Sequence, residues 1–260
     1  MEHVQGQTLC RGPEPEYTES DPRDAVRALL RAAEADSGAA VVAVAPDGST
    51  TTLPYRELLS QATLLLAGLR ERGLRPGDTV VLCGLPLSEF FPAFWACLLG
   101  GALPAALADR ATPGSPAYER LLHACTVLDG PLVLSDAAGA QALAAAAPEL
   151  RVAVARDCLG ARPADVHVEP AGSDVALLML SSGSTGVPKA ARLTHAGLAD
   201  FAASSRRIMD VRPDDTMVNW LPVDHSGAFL LYHLLAVFVG CTNVHAPTER
   251  VLAEPCLLYT

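Results

Sequence analysis

The chain has 260 residues, half of them hydrophobic, and a formal net charge of -10. Such a composition builds one large core or two smaller ones and excludes disorder throughout. The acidic balance excludes a broadly basic nucleic-acid footprint, and no apolar run has the length and purity of a membrane span, the richest stretch (90–107) being broken by Pro92, Gly100, Gly101 and Pro104.

Residues 1–20 are polar and read as a loose lead-in without the basic start and apolar run of a signal peptide. Asp21 and Pro22 predict a helix start, with the helix running to about residue 36. A β-branched strand over 40–45, a turn at Asp47-Gly48 and a return over 49–53 predict a hairpin. Pro54 opens the next helix, in which Leu58, Ala62, Leu65 and Leu69 share one face. A strand over 79–83 precedes an apolar helix over 86–99, whose composition predicts burial on more than one side. The alternation continues with a strand (101–107), helix (116–127), strand (131–134), helix (136–147) and strand (151–155). Strands and helices alternating at this spacing predict an α/β fold: layered, largely parallel sheets flanked by helices.

Gly160, Pro163, Pro170 and Gly172 mark a boundary, so the expected organisation is a first α/β subdomain over 21–170 and the start of a second over 171–260. The second opens with a strand over 175–180, resumes strand over 191–193, and has a helix capped by Thr194 and running to about residue 209. A strand over 216–221, a helix over 226–239 and a strand over 241–245 follow. The seven cysteines are scattered and never spaced CxxC, which reads as reduced cytoplasmic cysteines, several of them buried.

The chemistry concentrates in LLMLSSGSTGVPK, residues 177–189. A buried strand delivers a polar loop to its carboxyl end, the ligand-binding edge of an α/β sheet. Gly183 and Gly186 permit tight turns that expose backbone N–H groups. Ser181, Ser182, Ser184 and Thr185 add hydroxyls, and Lys189 adds charge. Lys189 is the only lysine, every other basic residue among the 19 being arginine. Together these groups suit the anionic tail of a nucleotide; the plainer alternative is a surface loop whose Ser and Gly merely permit turns. A Walker A loop is excluded, because Pro188 stands at its second glycine and Ala190 at its hydroxyl residue. His225 stands at a strand-to-helix corner in PVDHSG, either as a polar tip on a pocket wall or as a partly exposed helix cap. His233 and His245 fall within helix and strand patterns and read as structural.

SSGSTGVPKA resembles the phosphate-loop signature of the acyl-adenylate-forming superfamily, which includes acyl-CoA synthetases, fatty acyl-AMP ligases and nonribosomal peptide synthetase adenylation domains. LPYRELLSQATLLLAGLRERGLRPGDTVVL, LSEFFPAFWACLLGGALPAAL, THAGL and VNWLPVDHSGAF resemble further family segments in order, so the likeness covers roughly residues 22–250. The last segment is similar to fatty acyl-AMP ligases and to loading domains of polyketide and nonribosomal peptide assembly lines. The resemblance implies a ligase that activates a carboxylic acid with ATP and Mg²⁺ as acyl-AMP, then passes it to a thiol of an acyl carrier protein or coenzyme A. It implies that Ser181, Ser182, Gly183, Ser184, Thr185, Gly186 and Lys189 hold the β- and γ-phosphates, with Thr185 the first hydroxyl contact. His225 matches the residue near the carboxylate and α-phosphate, while Asp224 and Ser226 depart from the acyl-ligase pattern HDMG.

The family's magnesium-binding glutamate, adenine- and ribose-binding residues and catalytic lysine are expected beyond residue 260, so no residue here is put forward as a metal ligand. The expected function is the amino-terminal, ATP-handling part of such a ligase, inactive alone. A free-standing acyl-CoA ligase and a non-catalytic binding module are the alternatives.

Overall fold

The computed structural model describes residues 15–19, 21–165, 167–181 and 189–258. Two sheets form, in strand orders β2-β1-β10-β9 and β6-β5-β3-β4-β7-β8. The first contains β1 (Ala40–Val44), β2 (Thr50–Pro54), β9 (Thr216–Asn219) and β10 (Thr242–His245). The second contains β3 (Thr79–Cys83), β4 (Leu103–Leu107), β5 (Leu132–Ser135), β6 (Arg151–Val154), β7 (Val175–Ser181) and β8 (Lys189–Thr194). Neighbouring strands run parallel except in the sequential hairpins β1–β2 and β7–β8, whose short connections leave no room for a crossover. Both sheets take strands from either side of the expected boundary at 170/171: β7 and β8 extend the sheet of β3–β6, and β9 and β10 join β1 and β2.

Side-chain alternation builds two apolar layers on the larger sheet. Val80, Leu82, Leu134 and Leu177 join the main core, while Val81, Cys83, Val133 and Leu178 pack in a second core with residues of α4 (Pro116–Val127) and α5 (Ala137–Ala146). Between the sheets lies α3 (Leu87–Gly100), which contacts β1 on one side and β3 and β4 on the other. This placement explains a helix that buries Phe90, Phe91, Phe94, Trp95, Leu98 and Leu99 around its whole girth. Beside it, α2 (Tyr55–Glu71) buries Leu58, Ala62, Leu65 and Leu69, the face expected from their spacing.

Several boundaries differ from expectation for identifiable reasons. The first helix, α1 (Ala25–Glu34), is capped by Asp24, whose carboxylate accepts from Arg27 N at 2.8 Å. His195 Nδ1, from the distant α6 (His195–Met209), accepts from Ala25 N at 3.3 Å, and Asp21 instead pairs with Arg206. At the carboxyl end of α3, Gly101 adopts φ +72° and terminates the helix, so β4 begins at Leu103.

β9 stops at Asn219 because that side chain captures the backbone of Leu221, accepting from its N–H at 3.1 Å and donating to its C=O at 2.9 Å. The next helix runs as α7 (Ser226–Ala228), a π-helical turn (Phe229–Leu234) and α8 (Leu235–Val239). A last helix, α9 (Thr248–Ala253), had no sequence expectation. Cys83, Cys97, Cys125, Cys158 and Cys241 are free and buried, and Cys256 is exposed. Among the described residues, no helix is long and apolar enough to cross a membrane.

Candidate functional site

The polar loop belongs to the β7–β8 hairpin. Ser181 closes β7 and pairs with Lys189, the first residue of β8, which is exposed. The candidate residues Ser182, Gly183, Ser184, Thr185 and Gly186 lie outside the described residues. The hairpin hangs from the carboxyl end of a strand paired parallel to β4, with Ala105 opposite Leu178. Three residues further along each strand stand Ala108 and Ser181, so both belong to the same edge.

The second half of the site is fastened to that edge. Asp224 Oδ2 accepts a hydrogen bond from Ala108 N at 3.1 Å, across 116 residues of sequence. The corner between β9 and α7 is thereby tied to the strand next to β7. His225 follows Asp224, is exposed, and caps α7, its Nδ1 accepting from Ala228 N at 3.4 Å. The structure therefore realises the capping geometry and leaves His225 exposed, one residue from the Asp224–Ala108 bond.

A cavity of about 270 Å³ opens where the carboxyl ends of both sheets meet. Ala43 and Val44 of β1, Leu85 and Ser88 beyond β3, Ala108 and Asp109 beyond β4, and Leu221–Val223 beyond β9 line it, with Asn219 and His245 also contributing. His225 is not among its lining residues. Close backbone approach holds the rim together: Gly84 sits at φ +60°, and a Cβ there would stand 2.6 Å from Arg110 Cα. Asp109 pairs with Arg120 at 2.6 Å, and Arg110 pairs with Asp136. Glu89, next to Ser88, has a buried Oε2 without a hydrogen-bond partner among the described residues, and burial raises its carboxyl above the ordinary range.

The edge thus offers a positive group on β8, a fixed acidic corner and a largely apolar cavity with a few polar groups, a combination suited to orienting an acid beside phosphates. Among the described residues, no group of three or more His, Cys, Asp or Glu side chains could hold a metal ion, so protein ligands for Mg²⁺ are not assigned. Sequence reasoning missed Asn219 and the Asp224–Ala108 bond. Both depend on partners far away in the chain, which no local pattern announces.

A family profile described as "AMP-binding enzyme" matches residues 30–259. The chain is 30% identical over 240 residues to the nonribosomal peptide synthetase apvA of Aspergillus terreus, covering 88% of this chain and 26% of that protein. It therefore spans about a quarter of the length of that curated relative. The solved adenylation domain of a keto acid-selecting nonribosomal peptide synthetase module, bound to keto acyl adenylate, superposes with a TM-score of 0.83 at 27% identity, over 92% of this chain and 44% of that one. McyG A-PCP, complexed with phenylalanyl-adenylate, superposes with a TM-score of 0.84 at 28% identity, over 94% of this chain and 39% of that one.

Proposed function

The chain belongs to the AMP-binding enzyme family, and from that premise we propose that it is the amino-terminal, ATP-handling portion of a ligase that activates a carboxylic acid as acyl-AMP. The supporting observation is the shared edge: the hairpin carrying the phosphate-loop sequence leaves β7, and the Asp224-His225 corner that follows β9 is hydrogen-bonded to the carboxyl end of β4, the parallel neighbour of β7.

In this reading, backbone N–H groups at Gly183 and Gly186, hydroxyls of Ser181, Ser182, Ser184 and Thr185, and the Lys189 ammonium hold the β- and γ-phosphates. The acid's carboxylate oxygen forms a bond to the α-phosphorus as the bond to the bridging oxygen breaks, and pyrophosphate leaves with the released electron pair. The loop's part is orientation and stabilisation of charge on the departing pyrophosphate. His225 orients the carboxylate or walls its pocket. Mg²⁺ brought with ATP offsets phosphate charge.

The acyl group then passes to a thiol, which we assign to the phosphopantetheine arm of a carrier protein in polyketide or nonribosomal peptide assembly, in the cytoplasm. Similarity to the keto acid-selecting and phenylalanyl-adenylate-bound domains makes keto acids and amino acids the first classes to test.

The experiment joins this chain to the remainder of an adenylation domain, supplies ATP, Mg²⁺ and a panel of acids, and detects acyl-AMP by mass spectrometry. Formation with at least one acid, and its loss in Thr185→Ala, is expected; absence with every acid overturns the proposal. Transfer to coenzyme A instead of a carrier protein would correct the acceptor. The 260-residue chain alone is expected to form no acyl-AMP.

A further inference from the structure

A polar chain crosses the apolar interior between the sheets. Its members are Tyr55 on α2, Trp95 on α3, His233 in the π-helical turn, Asn243 and His245 on β10, and Asn219 on β9, none more than 2% exposed. Trp95 Nε1 donates to His233 Nε2 at 3.1 Å. Indole N–H only donates, so the His233 proton sits on Nδ1, which donates to Asn243 Oδ1 at 3.2 Å. The same oxygen accepts from His245 Nε2 at 2.8 Å, leaving His245 Nδ1 as the acceptor for Asn219 Nδ2 at 3.1 Å. Asn243 Nδ2 donates to the Tyr55 hydroxyl at 2.9 Å, and that hydroxyl donates to the Cys241 carbonyl at 2.6 Å.

This one arrangement of protons satisfies every bond, and it requires both imidazoles to be neutral. Burial supplies that condition, pushing His233 down to about 3 and His245 well below its ordinary value. Phe91 holds both rings, its centroid 4.3 Å from that of His233 and 4.7 Å from that of His245.

The chain of bonds has a definite end. Asn219, its last member, uses its remaining N–H and its oxygen on the C=O and N–H of Leu221. Leu221 lies beyond β9, has no sheet partner among the described residues, and lines the cavity three residues before Asp224. A side-chain amide that needs three bonds in one plane has a single orientation only while His245 Nδ1 accepts from it.

We propose that His245 is a positioning residue for the 221–225 corner: by fixing the Asn219 amide it sets where Leu221, and through it Asp224 and His225, stand at the ligand edge. What the corner does with an acid rests on the function proposed above; its placement is tested without activity. The ¹⁵N-labelled 260-residue chain is compared with His245→Asn, which keeps an acceptor near the Nδ1 position, and His245→Gln, which keeps a donor near the Nε2 position. Each variant loses one of the two bonds, so a merely structural role moves both alike.

Positioning through Asn219 predicts that the Leu221 and Ala108 amides exchange with solvent at least tenfold faster in His245→Gln, and within about threefold of wild type in His245→Asn. Equal exchange in the two variants, or unchanged exchange in His245→Gln, overturns the proposal. The wild-type chain supplies a check that needs no variant to fold. Long-range ¹⁵N–¹H spectra must show His245 protonated on Nε2 and His233 on Nδ1 at neutral pH, and the opposite tautomer at His245 overturns the proposal equally.

Discussion

Replacing Asp224 by alanine removes the bond that ties the 221–225 corner to the end of β4. Its Oδ2 accepts from Ala108 N at 3.1 Å in a partly buried setting, and no other hydrogen bond in the described structure joins that corner to β4 or its exit loop. A hydrogen bond to a charged acceptor contributes about 1.5–3 kcal/mol. For a chain of this size, each kcal/mol shifts the midpoint of thermal unfolding by about 2–4 °C. Asp224→Ala is therefore expected to lower Tm by roughly 3–12 °C and to speed exchange of the Ala108 amide while the preceding β4 amides keep their protection. Asp224→Asn retains an oxygen acceptor without the charge, so it loses about half as much, roughly 0.8–1.5 kcal/mol. Thermal unfolding followed by circular dichroism, with amide exchange by NMR, measures both effects. An unchanged Tm in Asp224→Ala, or equal losses in the alanine and asparagine variants, refutes the reasoning.

Thr185→Ala and Lys189→Ala, in a protein competent for adenylation, should each slow acyl-AMP formation by about 2.7–4 kcal/mol of transition-state stabilisation, by analogy with the loss of an oxyanion donor. Unfolding temperatures near wild type are expected, since Lys189 is exposed; wild-type rates in both folded variants contradict the phosphate-loop role. His225→Ala removes an exposed cap and should cost about 0.5–1 kcal/mol of stability while impairing acid activation more strongly; unchanged turnover and acid preference in the folded variant would rule out its pocket role. His233 and His245 are neutral in the fold because burial lowers both, His233 to about 3 from an ordinary 6.5. Below 6.5 the unfolded chain takes up protons that the fold refuses, so the His233 contribution is complete above that pH and is lost as pH falls from it toward 3, by about 1.4 kcal/mol per pH unit, with His245 acting in the same direction. Urea unfolding across that range should show the slope, and a folded His233→Gln chain that retains the full wild-type slope sinks the assignment.

Much of the fold was legible because local periodicity reports burial. The Leu58–Ala62–Leu65–Leu69 face is buried as spaced, and the strand at β3 and the helix at α4 fall where their patterns place them. Strand partnership was not legible: that β1 pairs with β10 and β4 with β7 is decided by which apolar faces meet across more than a hundred and more than seventy residues respectively, information absent from any short window. The start of α1 was misplaced because Asp21 and Asp24 both look like caps, and contact with Arg206 settles which one remains.

At the site, the loop announced itself by residue type and by the strand before it. Asp224 did not, because its partner is a backbone amide. His233 and His245 read as structural from their apolar neighbours. Their bonds to Trp95, Asn243 and Asn219 become visible only when α3 is seated between the two sheets.

The central claim, that residues 181–189 bind the phosphates of a nucleotide, is tested most directly by titrating inorganic tripolyphosphate into the 260-residue chain in a calorimeter. Tripolyphosphate needs neither the adenine and ribose contacts nor the acid, so it isolates the loop. Saturable one-to-one binding is expected, weakened at least tenfold in a folded chain carrying both Thr185→Ala and Lys189→Ala. Equal affinity in the two chains, or no binding by the wild type, contradicts it.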